Sequence, residues 1–264
     1  NPNGPFHVGR ARNAVLGDTF VRIYRAAGYD VTAEYYVDDM GKQVGILCWA
    51  LENLEEEQVQ QLLIEGEIPI EESPHSAKDD HARVLWYQAA NLLKSKDPVV
   101  DSGVTELVQK SEDADEDILN RFEAAYQPVL DGMLETLGRM GIAFDSFTKE
   151  SKFIVDGSVE ILMDELQTSQ LHGVAENGAH YLELESKGVK GKSTQFFYRR
   201  GDGSSLYATR DLAYHQYKWT RSGRLLNILG EDHKLQSKQV GIALDELNTQ
   251  NPEVVFYAFT KLAD

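Results

Sequence analysis

The sequence has little that could be cross-linked and nothing that could span a membrane. Cys48 is the one cysteine among 264 residues, which excludes an internal disulfide framework and a cysteine-based zinc site. No apolar run reaches the roughly 18 residues of a membrane-spanning helix, and the N-terminus lacks the charged-then-apolar pattern of a secretory signal. We therefore expect a protein of a reducing compartment such as the cytoplasm, with no membrane partner.

Basic residues are also outnumbered. The 26 Lys and Arg residues stand against 43 Asp and Glu residues and give a net charge of −17. This balance argues at first against a polyanionic partner, because affinity for nucleic acid depends largely on neutralising phosphates. The acidity is uneven, since residues 49–150 carry 23 acids and eight bases whereas 1–48 and 151–264 are close to neutral. We interpret the middle as a solvated helical face, which leaves an anionic ligand open for the two flanks.

The chain is long enough for a sizeable core. Its 264 residues, 42% of them apolar, could form one large or two ordinary domains. Cys48 has helical spacing with Val44 and Leu51, so we expect it to be a buried core residue. The chain begins without Met and inside a motif, and we expect it to be a fragment of a longer protein, inactive by itself.

A turn rich in Gly and Pro leads into the first predicted helix. Apolar residues recur at helical spacing over 16–27, and Gly28 predicts the end of the helix. His7 and Gly9 stand at its N-terminus, where free N–H groups and the helix dipole favour an anion. A glycine there lets a phosphate approach the backbone. The pattern is typical of a phosphate-binding turn.

Strands and helices alternate toward both ends of the chain. Predicted strands cover 31–37, 205–209, 225–229 and 254–259. Predicted helices cover about 40–63, 77–95, 118–140, 156–169, 210–219 and 234–247, with short strand-like runs at 181–184 and 195–198. Strands that alternate with helices indicate a mostly parallel sheet, and such sheets bind ligands at the carboxyl ends of their strands.

Several motifs occur in the order of one known family. His7-Val-Gly-Arg10 resembles the His-Ile-Gly-His signature of class I aminoacyl-tRNA synthetases. The runs that accompany it are Asn-Pro-Asn-Gly-Pro (1–5), Arg-Ala-Ala-Gly-Tyr-Asp-Val (25–31), Glu-Tyr-Tyr-Val-Asp-Asp-Met-Gly-Lys-Gln (34–43), Tyr-Ala-Thr-Arg-Asp (207–211) and Gly-Glu-Asp-His (230–233). Together they resemble arginyl-tRNA synthetases, the archaeal form more than the bacterial one.

The resemblance implies an α/β fold with the Rossmann-like, mostly parallel sheet of a class I catalytic domain, split by a largely helical and α+β insertion. Residues 1–48 would then form the first half of the nucleotide-binding core and 49–150 an acidic helical segment. Residues 151–200 would form a small α+β insertion, and 201–264 the second half of the core. The Lys-Met-Ser-Lys-Ser-like second signature of the class does not occur in the sequence.

The resemblance also implies the reaction and its residues. A ligase of this family activates arginine with ATP and Mg²⁺ to arginyl-adenylate, then transfers it to the 3′ end of tRNA(Arg); no DNA partner is implied. The implied arginine-binding residues are Asn1, Tyr207 and Asp211. The implied ATP-binding residues are His7, Gly9, Arg10, Gly230, Glu231, Asp232 and His233, of which the first three also serve catalysis.

Purely structural roles also remain open for some of these residues. Asp211 could be an ordinary acidic residue in the first turn of the predicted helix 210–219. Arg10 replaces the usual final histidine of the signature, and it could be an exposed arginine paired with Asp18 or Glu34. The run 231–233 favours ATP contacts or helix capping over a metal site, because consecutive residues rarely converge on one ion.

Two rival functions fit parts of the pattern. Another adenylate-forming or nucleotidyl-transferring enzyme could carry a His-x-Gly-x turn, and a noncatalytic tRNA-binding relative could retain the fold. The second signature in the parent protein would favour the ligase over the noncatalytic relative.

Overall fold

The computed structural model describes residues 2–6, 8–70, 75–191 and 193–258, and the side chains of residues 9 and 10 lie outside that description. The chain divides into two compact units, Asn1–Ser151 and Lys152–Asp264. Each unit has its own helices, strands and buried residues. The finer division into 1–48, 49–150, 151–200 and 201–264 stays a prediction.

Helices dominate the first unit. They are α1 (Val8–Ala26), α2 (Lys42–Asn53), α3 (Glu56–Glu65), α4 (Asp79–Lys94), α5 (Pro98–Glu112) and α6 (Glu116–Arg139). Helix α2 is central, because it packs against α4, α5 and α6. Leu47 of α2 and Phe122 of α6 are fully buried in this core. The helix predicted over 118–140 is therefore confirmed as α6, which continues through Pro128.

Two short strands of the first unit pair in parallel, β1 (Glu34–Val37) and β2 (Ser146–Lys149). Strand β1 lies within the predicted strand 31–37. Soon after it, the buried carboxylate of Asp39 accepts hydrogen bonds from the N–H of Ser151 at 2.9 Å and from its hydroxyl at 2.5 Å. Burial raises the pKa of Asp39, and these two hydrogen bonds oppose the rise.

The single helix predicted over 40–63 is wrong, because the chain breaks into α2 and α3. Leu54 has an extended backbone. The side chain of Glu55 then accepts a hydrogen bond from the N–H of Gln58, and the side chain of Gln58 accepts one from the N–H of Glu55. This capping box starts a new helix. Apolar residues at helical spacing lie on both sides of the break, at Leu51 and Leu54 before it and at Val59 and Leu63 after it, and the two runs were predicted as one helix.

Helix α5 lies where the sequence predicted no element. Its start is capped by Asp97, whose side chain accepts a hydrogen bond from the N–H of Val99 at 2.9 Å. Pro98 occupies the first helical position, where its missing N–H costs nothing. The signal was present in the sequence as Asp-Pro followed by the buried, helically spaced Val100 and Val104.

Cys48 is confirmed as a core residue and should be unreactive in the folded protein. Its side chain is buried, and burial together with the nearby Glu52 carboxylate raises the pKa of the thiol to about 12. Since the thiolate is the nucleophile, its fraction at neutral pH falls about a thousandfold. Alkylation by iodoacetamide, followed by mass spectrometry, is expected to be slow in buffer and fast in denaturant. Equal rates in both solvents would contradict this assignment.

In its described residues, the second unit contains two separate sheets and four α-helices. Its helices are α7 (Lys152–Val155), α8 (Ser158–Leu166), α9 (Tyr207–Trp219) and α10 (Lys234–Glu246). Its strands are β3 (His172–Val174), β4 (His180–Glu183), β5 (Gln195–Arg199), β6 (Leu226–Gly230) and β7 (Glu253–Tyr257). Strands β3, β4 and β5 form an antiparallel sheet, whereas β6 and β7 pair in parallel.

The strand predicted over 205–209 is wrong, because helix α9 already begins at Tyr207. Ser205 makes an isolated bridge with Arg199, and Leu206 has the extended backbone of a helix N-cap. The β-prone residues of this run were misread, since a helix start outweighs local strand preference. As a consequence Asp211 lies in the second turn of α9 and not in its first.

Parallel pairing is found where the sequence predicted alternating strands and helices, in β1–β2 and in β6–β7. The antiparallel sheet falls within 151–200, the segment predicted as α+β. In the part of the chain that the structure describes, no helix is long and apolar enough to cross a membrane.

Candidate functional site

The turn before α1 is fixed to two other helices of its unit. The side-chain amide of Asn3 donates a hydrogen bond to Gln43 of α2 at 3.0 Å. Gly4 is buried, and a Cβ there would lie 2.7 Å from a methyl carbon of Val84 in α4. Only glycine permits this approach. The start of α1 is thereby held in place by packing.

The N-terminus of α1 has the electrostatics that an anion needs. The helix begins at Val8, and its first turn contains no acidic residue. The first N–H groups of a helix have no partner within it, and the helix dipole adds positive potential. Asn1 and His7 lie outside the described residues. Gly9 and Arg10 belong to α1 by their backbone, and their side chains lie outside the description.

In the second unit, two buried side chains hold the start of α9 in place by hydrogen bonds. The hydroxyl of the fully buried Thr209 donates a hydrogen bond to the carbonyl of Tyr198 in β5 at 2.5 Å. The guanidinium of the buried Arg210 donates to the hydroxyl of Ser205 at 3.1 Å. These bonds fix the helix start, so the position of the next residue, Asp211, is well defined.

Asp211 is an ionised carboxylate in a partly covered position, with 31% of its side chain exposed. Burial alone raises the pKa of this carboxyl. The hydrogen bond and the electrostatic attraction from His215, followed by the attraction from Lys218 and His233, outweigh burial and hold the pKa below its usual value. A carboxylate kept ionised in this way can bind a cation.

Behind Asp211, three polar side chains form a chain of hydrogen bonds. Nδ1 of His215 lies 2.7 Å from the backbone oxygen of Asp211 and 3.4 Å from its Oδ1. Nε2 of His215 lies 2.8 Å from the side-chain nitrogen of Asn227 in β6. The side-chain oxygen of Asn227 accepts a hydrogen bond from Nζ of Lys218 at 3.2 Å. His215 is 3% exposed.

Asp211 opens onto a cleft of about 300 Å³ within the second unit. Helices α9 and α10 and strands β6 and β7 contribute its walls. Its polar lining includes Asp211, His215, Asn227, His233, Lys234 and Ser237. Leu229, Val254 and Phe256 form part of the apolar wall. The cleft follows one face of the parallel pair, from Asn251 and Pro252 just before β7 to Leu229 and Phe256 near the carboxyl ends of the two strands.

The structure brings two of the predicted site residues to this cleft, Asp211 and His233. Tyr207 is 60% exposed at the first position of α9 and is not among the lining residues. Residues 230–232 do not line the cleft either. Gly230 is the last residue of β6, and Glu231 and Asp232 form a 3₁₀ turn with His233.

Among the lining residues that the sequence did not predict, His215 and Asn227 are the two that form hydrogen bonds behind Asp211. His215 follows Asp211 by four positions, so helical spacing alone places both on one face of α9. That signal could have been used. Asn227 carries no such signal, because its place beside His215 depends on the packing of β6 against α9.

Comparison with known proteins gives a family and a set of relatives. The family model described as class I tRNA synthetases (R), catalytic domain, matches residues 1–256. Arginine–tRNA ligases of Methanothrix thermoacetophila and Methanothermobacter thermautotrophicus are 39% and 38% identical over 264 residues. These alignments cover 100% of this chain but 43% and 44% of the relatives. The chain thus spans less than half the length of the curated relatives it matches.

Solved structures share the fold at low identity. An arginyl-tRNA synthetase of Thermus thermophilus has a TM-score of 0.67 at 19% identity, covering 98% of this chain and 47% of that one. The arginyl-tRNA synthetase of Plasmodium falciparum has a TM-score of 0.71 at 15% identity, covering 97% of this chain and 41% of that one. At these identities the likeness establishes the fold alone, and the predicted fold class is confirmed.

Proposed function

This chain belongs to the class I tRNA synthetase (R) catalytic-domain family, and we propose that it carries the catalytic core of an arginine–tRNA ligase. In the full-length protein, the core would activate arginine with ATP and then esterify the 3′-terminal adenosine of tRNA(Arg). Its first curated relatives are named for this reaction. The absence of a disulfide framework fits a cytoplasmic enzyme.

The observation that carries the proposal is the carboxylate of Asp211 at the wall of the cleft. A guanidinium is planar and offers parallel N–H donors, which a carboxylate accepts in pairs. The low pKa of Asp211 keeps it ionised at neutral pH. Following the family resemblance, we assign arginine to Asn1, Tyr207 and Asp211, with its guanidinium on Asp211.

We assign ATP to residues at the start of α1 and to the turn that follows β6. His7, Gly9 and Arg10 would contact its phosphates, supported by the positive end of the helix dipole and by the acid-free first turn. Gly230, Glu231, Asp232 and His233 would contact the rest of the nucleotide. These roles rest on the resemblance of the motifs.

The proposed chemistry needs positioning and charge stabilisation more than proton transfer. An oxygen of the arginine carboxylate attacks the α-phosphorus of ATP, and the bond to pyrophosphate breaks. His7, Arg10 and the backbone N–H groups of α1 stabilise the charge that develops on the phosphates. In the second step a hydroxyl of the terminal adenosine attacks the arginyl carbonyl, and AMP leaves.

Mg²⁺ enters the proposal only as a companion of ATP. Among the described residues, no three His, Cys, Asp or Glu side chains converge as a metal site. We assign no step to the ion.

The test is ATP–pyrophosphate exchange by the full-length protein with each of the twenty amino acids, with and without tRNA(Arg). We expect arginine to be the one amino acid of the twenty that supports exchange. The family resemblance also implies that it requires tRNA. Exchange driven by another amino acid would reassign the specificity, and no exchange with any of them would favour a noncatalytic relative.

A further inference from the structure

The hydrogen bonds behind Asp211 all run in one direction. An ammonium group can only donate, so Nζ of Lys218 fixes the side-chain oxygen of Asn227 as acceptor. The amide nitrogen of Asn227 must then face Nε2 of His215, at 2.8 Å. Because that nitrogen carries hydrogens, Nε2 must accept, and the ring hydrogen of His215 resides on Nδ1.

This tautomer aims a donor at Asp211. Nδ1–H lies between the backbone oxygen of Asp211 at 2.7 Å and its Oδ1 at 3.4 Å. The opposite tautomer would turn a lone pair toward both oxygens and would leave two donors facing each other at Asn227. Since His215 is almost completely buried, water cannot relieve either conflict.

From this geometry we propose that His215 and Asn227 are positioning residues for arginine recognition, which hold the Asp211 carboxylate in the orientation that accepts a guanidinium. The inference rests on the proposed function and deepens it. Neither residue needs to touch arginine, because both act through Asp211. Preorganised side chains of this kind reduce the cost of ordering the site on binding.

Other charges also face Asp211 and have to be separated from this effect. Lys218 and His233 both act on the carboxylate electrostatically. The ammonium of Lys218 itself sits 4.1 Å from the ring centroid of Tyr214. A substitution at Lys218 would change charge and hydrogen bonding together, so the informative substitutions are at His215 and Asn227.

Two amide substitutions at His215 separate its two nitrogens. Asparagine places its amide nitrogen near the position of Nδ1, and glutamine places its amide near Nε2. We expect His215→Asn to keep the donor beside Asp211 and a KM for arginine close to that of the wild type. We expect His215→Gln to raise that KM about tenfold, the usual loss for one hydrogen bond to a charged group. The KM for ATP should change little in both.

The measurement is steady-state ATP–pyrophosphate exchange by the full-length protein, with arginine and ATP varied separately and with tRNA present. His75→Gln, at an exposed histidine of the first unit, is the matched control. Wild-type protein without arginine-dependent exchange would overturn the proposed function itself. An active wild type with the same KM for arginine in both His215 variants would overturn the positioning inference alone.

A second variant covers the case in which His215 substitutions do not fold. Asn227→Leu keeps nearly the same shape but removes the amide that faces Nε2. His215 is then free to adopt the other tautomer, and the KM for arginine is expected to rise about tenfold. An unchanged KM for arginine in folded Asn227→Leu would also overturn the inference.

Discussion

Replacing Asp211 by asparagine is expected to raise the KM for arginine steeply and to leave the KM for ATP nearly unchanged. The guanidinium would lose its only assigned carboxylate in a partly dehydrated cleft. A buried charge that loses its partner costs ~3–5 kcal/mol, which is roughly a hundredfold or more in kcat/KM. Steady-state exchange by the full-length protein, with arginine and ATP varied separately, measures the effect.

The control for this substitution is Asp202→Asn. Asp202 also has a lowered pKa, but its partner is Ser204 in an exposed turn. The Asp202→Asn substitution removes one negative charge from the second unit, as Asp211→Asn does, but at a position outside the cleft lining. If Asp211→Asn loses thermal stability with an unchanged KM for arginine, Asp211 serves the helix and the assigned specificity is wrong.

The low pKa of Asp211 gives the same assignment a pH signature. A carboxyl whose pKa is lowered on folding stays ionised as the pH falls through the ordinary aspartate range. Its contribution to stability is present above the unfolded pKa and is lost only as the pH falls through the lower, folded-state value. The charge available to arginine should therefore persist at mildly acidic pH.

Lysine should remain a poor substrate at every pH, because an ammonium cannot form the two parallel hydrogen bonds that a guanidinium forms with a carboxylate.

The parts of the fold that were predicted correctly depend on local pattern. Helix α6 and the burial of Cys48 follow from apolar residues at helical spacing, which the sequence displays directly. Besides the missed helix α5, two errors come from element boundaries. The capping box at Glu55 separates two apolar runs that were predicted as one helix, and the start of α9 at Tyr207 overrides β-prone residues. The first boundary is set by hydrogen bonds within a few residues, whereas the second also depends on the bond from Thr209 to Tyr198 in β5.

The candidate site was predictable where a motif marks it. Asp211 and His233 belong to the two runs that resemble the family, and both line the cleft. Glu231 belongs to the same run, yet its carboxylate pairs with Lys234 at 2.8 Å and is not part of the lining. Asn227 could not be predicted, because its role depends on which strand packs beside α9.

The second large effect concerns the other substrate. Replacing His7 by alanine is expected to depress the rate of adenylate formation by roughly 10²–10³, the usual cost, ~3–4 kcal/mol, of removing one stabiliser of transition-state charge. His7 immediately precedes α1 and is assigned to a phosphate of ATP. The protein should keep its fold, which circular dichroism and thermal unfolding would verify.

The kinetic pattern of His7→Ala distinguishes this role from that of Asp211. An interaction made mainly in the transition state lowers kcat and kcat/KM together, whereas the loss of a substrate contact shows in the KM of that substrate. We therefore expect His7→Ala to lower kcat with little change in the KM for arginine, opposite to Asp211→Asn. Single-turnover formation of arginyl-adenylate, measured with tRNA present, isolates the chemical step. A folded His7→Ala protein with wild-type kcat would show that the turn before α1 does not stabilise the phosphates, whatever its resemblance to the family signature.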